Sequence, residues 1–232
     1  MMSCKHMSNL GKVSYSFEGE DLIAESLLRK VEIGRYLDIG SSHPIEISNT
    51  FFFYRKGWRG IAIDGRSDLV SLWALDRPTD IFIPCVLDEE DGCKNFWSFP
   101  DPTMNTCDEE TAARYCSRFK ADDWRVEKRV TRSATSVWME VYGQDSPPPE
   151  FVSIDVEGYE LPIIKGLVSA TWKPPLMLVE TKLFSFDEPF AHPVVSFMCN
   201  EHGYKIIAKT PLDTFFIDPQ NSIFDWLPEG MR

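Results

Sequence analysis

The chain has 232 residues, of which 43% are hydrophobic and 26% charged, and it carries a formal net charge of −12 with a pI near 4.8. Such a length can fold as one large domain with a full core. The acidity argues against nucleic acid or an anionic membrane as the main partner, because both attract basic surfaces. No run of about 18 uncharged apolar residues occurs, and the N-terminal MMSCKHMSNLGK lacks the apolar run of a signal peptide, so neither a membrane span nor export is expected. Cys4, Cys85, Cys93, Cys107, Cys116 and Cys199 form no CxxC pair and read as reduced thiols of a cytoplasmic protein.

The predicted elements alternate along the chain. Asp21 to Val31 has apolar residues at helical spacing and is stopped by Gly34. Tyr36 to Gly40 (YLDIG) is a short strand. Ser48 to Gly57 opens on cap residues and closes on glycine, which predicts a helix. Gly60 to Asp64 is a second strand and Ser67 to Asp76 a second helix of this alternation. Asp80 to Asp88 is a third strand, weakened by Pro84. Ser133 to Gly143 predicts a crossover helix. Phe151 to Asp155 is a fourth strand, followed by a helix in which Pro162 fits only the first turn. Leu176 to Lys182 is a fifth strand, with a helix near Val194 to Glu201. Tyr204 to Thr210 and Asp213 to Asp218 flank a Pro-Leu turn and predict an antiparallel pair.

Strands apolar on both faces, with helices between them, predict a doubly wound, Rossmann-like, mainly parallel α/β sheet with an antiparallel C-terminal pair. Ligands of such sheets sit at the carboxyl ends of the strands. Asp38, Asp64, Asp88, Asp155 and Glu180 all fall at or near such ends and are expected to face one crevice. Acids there can instead cap the next helix, but five together favour a site. One polar stretch, about residues 89–132, breaks the alternation. Its aromatic residues, Phe96, Trp97, Tyr115 and Trp124, suit the wall of an acceptor pocket or the packing of an insertion.

Within YLDIGSSHP, Gly40 permits a tight turn and close approach of a ligand to the backbone. Ser42 and Pro44 replace the glycines that a pyrophosphate needs, so a dinucleotide fits poorly. Asp64 stands where an acid can accept the hydroxyls of a ribose. A ribose acid without a phosphate loop points to S-adenosylmethionine. The expected cofactor contacts are Asp38, Gly40, Ser41, Asn49, Asp64, Val86, Leu87 and Asp155.

Three blocks carry a resemblance: YSFEGEDLI (Tyr15 to Ile23), Tyr36 to Asp64, and FVSIDVEGYELPIIKG (Phe151 to Gly166). In order and spacing they resemble the FkbM-type methyltransferases. The resemblance implies a class I S-adenosylmethionine-dependent fold and O-methylation of an alcohol on a sugar, glycan or polyketide. It implies that Asp38, Gly40 and Asp64 meet the cofactor and that Asp155 and Glu157 serve the cofactor or the active site. Two positions depart from the pattern: Phe17 replaces a glutamine, and Ser42 replaces the first histidine of a His-His-Pro run.

An alcohol needs a base to become a nucleophile. His43, Asp155 and Glu157 are the candidates, since imidazole is available near neutrality and burial can raise a carboxylate pKa. Phe96, Trp97 and Glu180 are the expected acceptor contacts. A divalent cation on Asp155, Glu157 and Glu180 is the less favoured alternative. An NAD-dependent oxidoreductase or epimerase, and a non-catalytic binding domain that keeps the fold, are the competing functions. No nucleic acid or membrane partner is expected, and a two-fold homodimer is the default assembly.

Overall fold

The computed structural model describes residues 11–232; Cys4 and most of the N-terminal segment read above lie outside the described residues. Among the described residues ten strands form two sheets. They are β1 (Arg35–Ile39), β2 (Arg59–Asp64), β3 (Ile81–Pro84), β4 (Val86–Asp88) and β5 (Gly92–Ser98), then β6 (Arg125–Ser133), β7 (Phe151–Ile154), β8 (Leu176–Glu180), β9 (Lys205–Lys209) and β10 (Asp213–Ile217). The helices are α1 (Glu20–Leu27), α2 (Phe51–Arg55), α3 (Val70–Asp76), α4 (Glu109–Cys116), α5 (Ala134–Tyr142), α6 (Glu160–Leu167) and α7 (Pro193–Ser196).

The large sheet runs β3-β2-β1-β7-β8-β10-β9. Its first five strands are parallel; β10 adds antiparallel to β8, and β9 adds antiparallel to β10. This is the doubly wound, Rossmann-like architecture with an antiparallel C-terminal pair. Strand alternation sends successive side chains to opposite faces. Leu37, Ile39, Val152, Ile154, Met177 and Val179 pack one way, onto α5, α6 and α7. Tyr36, Phe151, Leu176, Leu178, Phe215 and Ile217 pack the other way, onto α1 and α2. Both faces are therefore covered, which is why the central strands read as continuous apolar runs.

The structure corrects the sequence reading at one place and adds detail at two others. The strand expected over Asp80 to Asp88 is two strands in different sheets. Pro84 has no N–H to continue the ladder, so β3 ends there, and β4 pairs instead with β6 in a small β4-β6-β5 sheet. The residues 89–132 are mainly the β5/β6 hairpin with α4 in its connection. The helix expected near Val194 to Glu201 is α7 followed by a π-helical turn over Phe197–Glu201. By contrast α5 starts as its residues dictate: the Ser133 hydroxyl accepts the Ser136 N–H at 3.1 Å.

Chain order reverses between β1 and β7, so the crevice at their carboxyl ends is the topological switch point. Register then lines up polar residues on the α1/α2 face. Asp38 pairs with Ser153, and Glu180 pairs with Asp213.

Candidate active site

A cavity of about 470 Å³ opens at this switch point, within the size range of small-molecule sites. Every site residue expected from the sequence lines it except Trp97. Phe96 enters the wall, and the alternation of β5 gives the next residue the opposite direction. Tyr115 and Trp124 also stay out of the wall. Of the five strand-end acids, Asp38, Asp64, Asp155 and Glu180 line the cavity and Asp88 does not. Asp88 accepts the Tyr159 hydroxyl and the Glu89 N–H, each at 2.8 Å, which draws it towards the small sheet.

The loop after β1 is shaped by close contacts. Gly40 has φ +76°, and a Cβ built on it would lie 1.7 Å from the Asp155 carbonyl oxygen. Only glycine fits this crossing of the β1 and β7 ends. Ser42 follows at φ +45°, and its N–H donates to Asp64 Oδ2 at 3.0 Å. Asp64 Oδ1 accepts the Arg66 N–H at 2.8 Å, so both oxygens are oriented while keeping lone pairs for a ligand. Burial pushes the Asp64 pKa up against these two bonds. Asp38 accepts the Thr50 hydroxyl, and burial raises its carboxyl to about 6 although Arg77 opposes this. Asn49 donates to the Ser153 hydroxyl at 3.0 Å. Ser41 Oγ is buried and has no hydrogen-bond partner among the described residues. A buried hydroxyl in that state suits a site that takes a ligand.

His43 lines the cavity, but its Nδ1 accepts the backbone N–H groups of Ile45 (3.2 Å) and Glu46 (2.9 Å). In a neutral ring the proton then sits on Nε2, so the nitrogen with the free lone pair is already engaged. The arrangement commits His43 Nδ1 to holding its own loop.

The turn after β7 carries the acids. Glu157 (φ +57°) and Gly158 (φ +98°) are consecutive left-handed residues, and backbone strain of this kind collects at functional sites. The 89–132 segment holds the turn. Thr106 donates to the Glu157 carbonyl at 2.8 Å, and the Tyr115 hydroxyl donates to Glu157 Oε2 at 2.6 Å. Lys182 donates to Glu157 Oε2 (2.6 Å) and pairs with Glu180 Oε1 (2.8 Å). The Tyr115 and Lys182 bonds both fall on Glu157 Oε2, and one set of acids with oxygens within 4.8 Å of one another is Asp155, Glu160 and Glu180. That trio, not the expected Asp155, Glu157 and Glu180, is where a cation could be held. Glu160 Oε1 already accepts the N–H groups of Val156 (3.2 Å) and Gly158 (2.9 Å).

Asp155 lines the cavity and is exposed to it, with the buried Glu160 and Glu180 beside it. Burial, and then Glu180, Glu157 and Asp213, hold its pKa well above the usual carboxylate range. Glu180 is pushed up to about 8 by burial and by Glu157, despite its ion pair with Lys182. Burial opposes the Lys182 charge, but Glu180 and Glu157 outweigh it and raise its pKa. One cation facing several acids leaves the cluster with surplus negative charge, which favours the protonated form of its carboxyls.

Sequence reasoning missed Glu160, Lys182, Glu20 and Asp213. Glu20 and Lys182 sit inside stretches already singled out, YSFEGEDLI and the fifth strand. Asp213 had no local signal, because only its pairing with Glu180 brings it to the site.

An acid oriented at the end of β2, a glycine loop after β1 and a cluster of close acids thus share one cavity at the switch point of a Rossmann-like sheet. Residues 38–206 match the Methyltransferase FkbM domain, and the chain belongs to that methyltransferase family. No curated protein and no solved structure matches the chain. Among the described residues no helix is long and apolar enough to cross a membrane.

Proposed function

We propose that the protein transfers the methyl group of S-adenosylmethionine to a hydroxyl of a sugar, glycan or similar polyol. The observation that carries this reading is the close pair of carboxyls, Asp155 and Glu180, in the same cavity that Gly40 and Asp64 line. Asp64 would accept the ribose hydroxyls, Ser41 Oγ would gain its missing partner, and Val86 and Leu87 would supply apolar wall. When bound, S-adenosylmethionine supplies an activated sulfonium methyl and leaves as a neutral thioether.

This chain's residues do the rest. Asp155, sharing its charge with Glu180, takes the hydroxyl proton of the acceptor, because an alcohol is a weak nucleophile until that proton leaves. Glu157 and Lys182 hold the pair in place and set its charge. Positive charge brought into the cavity lowers the pKa of the cluster, so the base is armed when the cofactor side is filled. Lys182 already occupies the counter-charge position beside Glu180, which favours carboxylate base chemistry over a metal. The 89–132 segment, through Phe96 and the Glu157 contacts, borders the acceptor, and the whole chain works as one catalytic unit.

Thermal shifts with S-adenosylhomocysteine and with NAD test the cofactor, and labelled-methyl transfer to a panel of glycans and polyols tests the reaction. S-adenosylhomocysteine is expected to raise the melting temperature. A rise with NAD alone would select an oxidoreductase, and a rise with neither would select a non-catalytic domain.

A further inference from the structure

A second acid cluster lies across the cavity from the cofactor loop. Glu18, Glu20 and Asp213 each offer an oxygen within 4.8 Å of the others. Glu20 and Asp213 line the cavity. Glu20 is only 1% exposed, and while its Oε2 accepts the Glu18 N–H at 2.8 Å, Oε1 has no hydrogen-bond partner among the described residues. A buried carboxylate oxygen left without a donor is costly, and its natural complement is a ligand that donates. Lys209 does not fill the role: its Nζ donates to the Thr210 carbonyl at 2.6 Å and forms no ion pair among the described residues.

Building on the proposed methyl transfer, we infer that Glu18, Glu20 and Asp213 bind a primary ammonium group and that the acceptor is an amino-bearing alcohol, such as an amino sugar. A primary ammonium has three N–H donors in tetrahedral array. Acceptors at about 2.8 Å along those directions stand about 4.6 Å apart, which falls inside the 4.8 Å that bounds the three acid oxygens. Position argues for the acceptor. Asp213 pairs with Glu180 across β8 and β10, one strand from the base and on the far side of the switch point from Asp38 and Asp64. The raised Asp213 pKa, about 7, comes from burial and then from Glu20, with Lys209 opposing, and fits a cluster short of positive charge.

The test is calorimetry on protein loaded with S-adenosylhomocysteine. D-glucosamine and 2-amino-1,3-propanediol are compared with N-acetyl-D-glucosamine and glycerol, which lack the ammonium. Each amine is expected to bind at least tenfold tighter than its neutral partner. Glu20→Gln and Asp213→Asn should each abolish that preference and leave S-adenosylhomocysteine affinity unchanged; the second variant serves if the first does not fold. Equal binding of amines and neutral partners overturns the inference. So does a preference that survives both variants. Weakened S-adenosylhomocysteine binding in the variants would assign the cluster to the cofactor's own amino group, and magnesium or calcium binding lost in the variants would make it a metal site; either overturns the inference. A wild type that binds no S-adenosylhomocysteine refutes the proposed function instead, and the same titrations without it still decide the ammonium subsite.

Discussion

Replacing Glu180 by glutamine should stabilise the protein at alkaline pH. Glu180 is 4% exposed, and its carboxyl is pushed from the ordinary 4.5 up to about 8, by burial first and then by Glu157. A carboxyl with a raised folded-state pKa holds its proton more tightly when folded than when unfolded. The resulting stability is fully present below about pH 4.5 and is lost as the pH climbs to about 8. At about 1.36 kcal/mol per pH unit, the ceiling on that loss is about 5 kcal/mol. Asp155 and its neighbours share the proton, so removing one acid should recover only about 1–3 kcal/mol. For a chain of this size that is roughly 3–10 °C in Tm. Glutamine keeps the shape, and its Oε1 can still accept from Lys182. Thermal unfolding of wild type and Glu180→Gln across about pH 5 to pH 9 is the assay. Wild-type Tm should fall towards alkaline pH, and the variant should fall less and lie above it at the alkaline end. A wild-type Tm that is flat over this range, or a variant less stable at its alkaline end, would refute the assignment of a buried, proton-holding cluster.

Gly40→Ala would drive a Cβ to within 1.7 Å of the Asp155 carbonyl, so it should abolish S-adenosylhomocysteine binding and lower Tm; unchanged calorimetry would show that the β1 and β7 ends can separate freely. Asp64→Ala should weaken S-adenosylhomocysteine binding by about 1–3 kcal/mol, the cost of a lost charged hydrogen bond, and unchanged affinity would remove Asp64 from the cofactor site. Asp155→Asn should cut turnover at saturation by about 100-fold or more, whereas His43→Ala, which loses only loop contacts, should leave kcat within about threefold and shift KM instead. The reverse ranking would restore His43 as the base. Phe96→Ala should weaken acceptor binding more than cofactor binding, and equal losses with a lowered Tm would make Phe96 only structural.

Much of the site was legible because local rules governed it. Gly40 and Asp64 stand at strand ends, where the switch-point rule applies whatever the surrounding packing. Trp97 illustrates the limit. Composition marked an aromatic pair, but strand parity admits one member to the cavity and excludes the other. Asp88 shows a second limit, since a strand-end acid can be captured by a distant hydroxyl, here that of Tyr159. His43 shows a third: its residue type suits a base, yet two nearby N–H groups occupy the useful nitrogen.

By itself the amino-acid sequence determined the alternation of strands and helices, the two-faced burial of the central strands, the glycine loop and the pair Asp155 and Glu157. These follow from apolar period, backbone freedom and the placement of acids next to turn residues, all of which are local. Only the tertiary structure decided which acids act together. Lys182 and Tyr115 draw Glu157 into bonds, which leaves Asp155 beside Glu160 and Glu180. The pairing of β10 with β8 brings Asp213 to Glu180, and the first turn of α1 adds Glu20. Charges interact over a few ångströms of space however far apart they lie along the chain, so the pKa values of this cavity are properties of the fold.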